Sequence, residues 1–140
     1  MKKLIVILLA AVAVISVSFS AFAAEDKPAA KVIAYYFHGT ARCPTCHKLE
    51  QYSKEVIEAN FKDALASGKV EFEVINTEDK GNEHFVNDYQ LYTKSLVISL
   101  IEGGKEAKSK NLTKIWDYVS NKQKFFDYVT SEINNFLKGS

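Results

Sequence analysis

The sequence predicts an α/β fold, a central mixed sheet flanked by helices in the order β-α-β-α-β-β-α. Three observations carry this. Short β-branched and aromatic runs, "KVIAYYF" and "SLVISLI", read as buried strands. Long segments with apolar residues every three or four positions read as amphipathic helices. The two kinds alternate early in the chain, and strands joined through a helix run parallel with a right-handed crossover.

The first 23 residues are read separately. "MKK" supplies positive charge, "LIVILLAAVAVISV" is an apolar run, and Ala21-Phe22-Ala23 has the small-x-small form of a cleavage site. This is the pattern of a secretory signal peptide cut near Ala23. The run is shorter than the roughly 20 residues that span a bilayer. Residues 24–30 read as a linker and residues 31–140 as one domain. The expected location is outside the cytoplasm, periplasmic or secreted from a bacterium. The remaining 117 residues hold 16 basic and 17 acidic side chains. That balance argues against nucleic acid, whose binding needs clustered positive charge.

The elements follow in order. "KVIAYYF" (31–37) is the first strand, and "HGTAR" is a loop with Gly39 as its flexible point. From Cys43 to Ala66, Leu49, Tyr52, Val56, Ile57, Phe61 and Leu65 recur at helical spacing, with Glu58 and Lys62 placed to pair. Gly68 stops this helix. "VEFEVIN" (70–76) alternates Val70, Phe72 and Val74 against Glu71 and Glu73, a strand pattern. "KGNEHFVNDYQ" holds one or two helical turns. "SLVISLI" (95–101) and "KEAKSK" form a hairpin around "EGG", the second strand lying at the sheet edge. "TKIWDYV" reads as a short helix with Trp116 and Val119 turned inward. Ser120 and Gln123 form a capping box for a last helix, whose inner face is Phe125, Phe126, Val129, Ile133, Phe136 and Leu137.

Both cysteines lie in "RCPTCHKLE". C-x-x-C-H also fits covalent haem attachment, and C-x-x-C alone fits a dithiol redox centre. Haem would need a second axial ligand. The only methionine is Met1, and His38 and His84 lack supporting context. One C-x-x-C is half a structural zinc site, and His47 fits a solvated helical turn. A structural disulfide gains most from closing a long loop, and this pair closes almost nothing. In an oxidising compartment the pair is expected to be made and broken. No cofactor is expected.

The C-x-x-C between "VIAYYFHGTAR" and a helix, within this element order, resembles the thioredoxin fold over residues 31–140. The stretches "YYFHGTARCPTCHKLE" and "KNLTKIWDYV" resemble more narrowly a group of exported thioredoxin-like proteins labelled the nitrophenyl compound nitroreductase subunit, or ArsF, family. That resemblance implies a membrane partner, a CcdA-like carrier of thiol electrons, and a monomer is expected. It also implies roles. Cys43 is the attacking thiol at the helix start, and Cys46, less exposed, resolves the mixed disulfide. Arg42 and His38 are candidates to stabilise the Cys43 thiolate, with ordinary solvated loop residues as the plain alternative. Tyr35, Tyr36 and Phe37 are expected in the core or on a sheet face.

Two departures from the thioredoxin pattern stand out. No Asp or Glu occurs from Lys31 to Arg42, where thioredoxins carry a buried acid. No proline precedes the third strand, and Ser95, give or take one residue, stands at the cis-proline position. A serine there would leave the dithiol open to ligands. The second functional reading is therefore a soft-metal or arsenite binding protein using the same two thiolates.

Overall fold

The computed structural model describes residues 29–139. The segments read from the sequence as a signal peptide (1–23) and, for the most part, as a linker (24–30) lie outside the described residues. The described chain forms four strands and five helices. These are β1 (Lys31–His38), α1 (Pro44–Asn60), α2 (Lys62–Ala66), β2 (Val70–Asn76), α3 (His84–Asp88), β3 (Ser95–Glu102), β4 (Lys105–Asn111), α4 (Ile115–Tyr118) and α5 (Lys122–Leu137).

The strands form one sheet in the order β2-β1-β3-β4. β1 runs parallel to β2, as a crossover through α1 requires. It runs antiparallel to β3, with Phe37 opposite Ser95. β3 and β4 form a hairpin whose last pair is Glu102 and Lys105. The two residues between, Gly103 and Gly104, have φ of 58° and 77°. Positive φ at both positions is the geometry of a tight hairpin turn, and glycine adopts it without a Cβ clash. β4 is the edge the sequence predicted, and Lys105, Lys108 and Lys110 on it are exposed. Such charge discourages pairing with another chain.

The apolar core lies on one face of the sheet, under α1 and α5. Val32, Ala34 and Tyr36 of β1 meet Leu49, Val56 and Ile57 of α1, and Phe125, Val129 and Ile133 of α5 close the layer. Tyr52 packs edge-on against Phe125, with ring centroids 5.5 Å apart. Adjacent strand residues point to opposite faces. Tyr35 and Phe37 are therefore on the other face, where Phe37 meets Phe85 and Tyr89 at 5.1 and 5.5 Å.

Three sequence expectations need correction. The helix predicted from Cys43 to Ala66 is two helices. Phe61 leaves helical geometry (φ −126°, ψ 27°) while its ring stays buried. Its apolar spacing fits an unbroken helix, so the local pattern carried no mark of the break. Glu58 takes Lys54 as its partner at 3.8 Å, since Lys62 lies beyond the break. The cap of α5 is Asn121, whose side chain accepts from the Lys124 N–H at 3.0 Å, so the capping box on Ser120 and Gln123 is displaced by one residue. As expected, Trp116 of α4 and Val119 just after it pack half-buried against the core, beside the fully buried Ile115. Trp116 turns its indole N–H to the Lys94 carbonyl at 3.0 Å, a partner that an indole needs when it leaves water.

Candidate active site

The dithiol sits where β1 ends and α1 begins. Cys43 is the N-cap of α1, with extended backbone (φ −91°, ψ 164°), and Pro44 follows in the first turn, where no N–H is required. Cys43 and Cys46 are joined in a disulfide, with Cα atoms 5.1 Å apart. Cys43 is exposed, while Cys46 is 3 % exposed. The Cys46 N–H donates to the Cys43 sulfur at 3.2 Å. The His47 N–H donates to the Cys43 carbonyl at 3.1 Å. Cys43 thus occupies the position of a capping Ser or Asp, beside donors that have no helical partner of their own.

The candidate partners of the thiolate are placed differently from one another. The half-buried Arg42 pairs with Glu50, so its charge is already matched by a carboxylate. His38 ends β1, and its Nδ1 is 2.9 Å from the Gly39 carbonyl. A carbonyl only accepts, so Nδ1 carries the proton in this contact and Nε2 is left to accept. Ser95 opens β3 and is 4 % exposed. Its hydroxyl donates to the Thr93 carbonyl at 2.9 Å and accepts from Asn111 Nδ2 at 3.4 Å. The Ser95 hydroxyl is therefore bonded within its own loop and strand. The described residues contain no cis peptide bond.

Two residues that sequence reasoning did not assign to the site lie against it. Tyr36 was expected only as core or sheet-face filling. It is fully buried, and its hydroxyl donates to the Cys46 carbonyl at 2.7 Å. Burial pushes its phenol up to about 12, with Arg42 opposing and Glu50 reinforcing that shift. Glu50 lies beyond the Lys31–Arg42 stretch, which holds no acid. Its signal was spacing: Glu50 is four residues after Cys46, and i, i+4 side chains share a helix face. Arg42, Tyr36 and Glu50 come from a loop, a strand and a helix, and they converge beside Cys46.

Two small cavities flank the segment 90–95 at this end of the sheet. One, of about 150 Å³, is lined by His38, Thr77, Glu78, Tyr92 and Lys94 among others. The other, of about 120 Å³, is lined by Ser95, Leu112 and Trp116 among others. Tyr92, between them, is 94 % exposed. For metal chemistry the protein offers the two sulfurs. Among the described residues no group of three or more His, Cys, Asp or Glu side chains is arranged to hold an ion.

The strand order, the parallel β1-α1-β2 unit, the β3-β4 hairpin and a C-x-x-C at the first helix together define the architecture. The fold is thioredoxin-like. No family model matches the chain, and no curated protein does. The solved structures that match include three thioredoxins. Oxidised thioredoxin O2 from Arabidopsis thaliana aligns over 69 % of this chain and 76 % of its own, with 12 % identity and a TM-score of 0.41. The thioredoxin of Fasciola hepatica aligns over 64 % and 79 %, with 22 % identity and a TM-score of 0.38. Thioredoxin f2 of Chlamydomonas reinhardtii aligns over 71 % and 84 %, with 12 % identity and a TM-score of 0.35.

Proposed function

We propose that this protein is a thiol–disulfide oxidoreductase working through Cys43 and Cys46. The observation that carries the reading is the unequal setting of the two sulfurs. Cys43 is exposed at a helix start, and Cys46 is buried one turn further on. In the reduced protein the Cys43 thiolate would stand where the disulfide sulfur stands, accepting from the Cys46 N–H. Helix-start donors and the helix dipole favour negative charge there, which lowers a cysteine pKa below its free value of about 8.5. The thiolate attacks a partner disulfide and forms a mixed disulfide. Cys46 then attacks the Cys43 sulfur and the partner leaves as a thiolate. The step conserves electrons: the dithiol loses two and the partner disulfide gains two.

The finer reading is an exported protein of the ArsF group with a dedicated membrane partner of the CcdA-like kind. It is supported by the stretches "YYFHGTARCPTCHKLE" and "KNLTKIWDYV", which resemble that group. The signal-peptide pattern of residues 1–23 supports export, and the intact mass of secreted protein tests it: cleavage leaves a chain beginning at Ala24.

Capture of partners tests the main reading. Cys46→Ala should trap partners as stable mixed disulfides, because the resolving thiol is gone. Cys43→Ala should trap none. Trapping by Cys43→Ala alone would reverse the assignment, and trapping by neither variant would remove the thiol-exchange function.

A further inference from the structure

The sheet has two edges, and they are built differently. β4 carries Lys105, Lys108 and Lys110, and its pairing with β3 shifts register between Leu100 and Ile101. Lysines and irregular register keep an edge from pairing with another chain. β2 has neither. It pairs with β1 in unbroken register from Val70 to Asn76, and it contains no lysine or proline.

Backbone direction shows which groups are open. The Lys69 carbonyl and the Thr77 N–H both bond to β1, at 2.9 and 2.8 Å. Alternate residues of a strand turn their backbone groups to the same side, so the odd-numbered residues of β2 face β1. Phe72, Val74 and Asn76 turn theirs outward. The Asn76 carbonyl already accepts from the Asp79 N–H at 3.2 Å and from Asn82 Nδ2 at 3.0 Å. The outward groups of Phe72 and Val74 have no partner of this kind among the described residues. Val74 is also 43 % exposed, and with the half-buried Phe72 it lines a groove of about 370 Å³ beside α1 and α2. Glu73 lies on the opposite face of the strand and is exposed. Glu71 is paired with Lys31 at 2.8 Å, whereas Glu73 has no ion pair among the described residues.

Charge decides what fits this edge. A second copy of β2, running antiparallel so that Phe72 meets Val74 and Val74 meets Phe72, sets Glu73 against Glu73. Like charges directly opposite destabilise a pair. A shift toward Val70 sets Glu71 against Glu73, and a shift toward Asn76 needs the carbonyl that is already bonded. The β4 edge of a second copy fails for another reason. Its Lys108 and Lys110 lie opposite Leu100 and Ile98, on the core face, while Glu73 points to the other face.

We infer that the edge of β2 at residues 72–74 is a docking site for an extended segment of a partner protein with the pattern apolar–basic–apolar. The segment adds a fifth strand to the sheet. Its backbone bonds to the outward N–H and C=O groups of Phe72 and Val74. Its basic side chain lies opposite Glu73, and its apolar side chains cover Phe72 and Val74 along the groove. The site uses neither sulfur, so it holds a partner without occupying the dithiol, and it stands or falls apart from thiol exchange.

Two end-blocked heptapeptides serve as probes, one alternating valine with lysine and one alternating valine with glutamate. Titrated into isotope-labelled protein at low salt, the basic peptide should shift the amide signals of Phe72 and Val74. It should bind at least about tenfold more tightly than the acidic peptide. Glu73→Lys should reverse that preference. Val74→Pro removes an outward donor where an edge strand tolerates proline, and should weaken the basic peptide by roughly fivefold or more. Glu73→Lys changes an exposed side chain and decides the matter if Val74→Pro does not fold. Equal affinities for the two peptides, no binding of either, or binding that leaves both amide signals unmoved overturns the inference. Sedimentation of the protein alone supplies the remaining outcome: a dimer that Val74→Pro abolishes would assign the edge to a second copy instead.

Discussion

The Cys46 N–H lies 3.2 Å from the sulfur of Cys43. This one relationship makes Cys43 both the first cap of α1 and the acceptor of a donor that the helix leaves unpaired. The redox pair and the helix start are therefore the same structural object. Changes that loosen the helix start should alter the chemistry, and changes to the surrounding cluster should alter stability.

Tyr36→Phe removes a buried donor to the Cys46 carbonyl while keeping the ring in the core. A cost of about 1 kcal/mol is expected, because the carbonyl keeps its place in the helix. The variant should also change the alkaline limb of stability. Burial raises the folded pKa of Tyr36 to about 12 from an ordinary value of 10. A raised folded pKa means that the folded state keeps a proton the unfolded chain loses. The stabilisation is whole below pH 10 and falls away between pH 10 and 12, by up to roughly 3 kcal/mol. Tyr35 is raised to about 12 by burial and nearby carboxylates and adds to the same loss. Urea unfolding from pH 9 to 12 should show a shallower decline in Tyr36→Phe, and identical slopes would contradict the role given to this phenol.

Gly39 lies in the loop between β1 and the dithiol. A Cβ built there would sit 2.5 Å from Glu78 Oε1, too close for any real contact. Glu78 accepts from the Thr40 N–H at 3.0 Å, and that bond holds its carboxyl below the usual range. Gly39→Ala should displace Glu78 and cost about 1 kcal/mol. In a Glu78→Ala background the same change should cost less than about 0.5 kcal/mol, because the obstacle is gone. Equal costs in both backgrounds, measured by denaturant unfolding, would show that the clash is not what makes glycine suit this position.

The cap of α5 gives a paired test. Asn121→Ala should lose about 1 kcal/mol, the usual cost of removing a side-chain cap. Ser120→Ala should change stability by less than about 0.5 kcal/mol, as expected of a surface site away from such features. Thermal unfolding of the two variants side by side separates the observed cap from the one the S-x-x-Q pattern suggested.

Phe125 is fully buried between α5, Tyr52 and the sheet. Phe125→Ala removes most of a large ring from a close-packed layer and should cost roughly 3–5 kcal/mol. That is a large part of the 5–15 kcal/mol typical of a domain. Chemical denaturation should show a lower midpoint with an unchanged slope. A loss below about 1 kcal/mol would mean that the α1–α5 layer is less tightly packed than described.

Sequence patterns alone determined the element order, the parallel first two strands, the hairpin of the last two and the setting of the C-x-x-C at a helix start. These rest on local rules: period 2 in "VEFEVIN", helical spacing from Phe125 to Phe136, and a paired glycine in "EGGK". The tertiary structure decided what surrounds the sulfurs. Residues 36, 42, 46 and 50 come from a strand, a loop and a helix, and no pattern within any one of them announces that Tyr36 reaches the Cys46 carbonyl or that Glu50 claims Arg42. It also moved the cap to Asn121 and broke the long helix at Phe61, where the apolar spacing runs on without interruption. Periodicity reports which face of an element is buried. Which polar atoms meet there depends on how the buried faces are packed together, and that is fixed only when distant segments share one core.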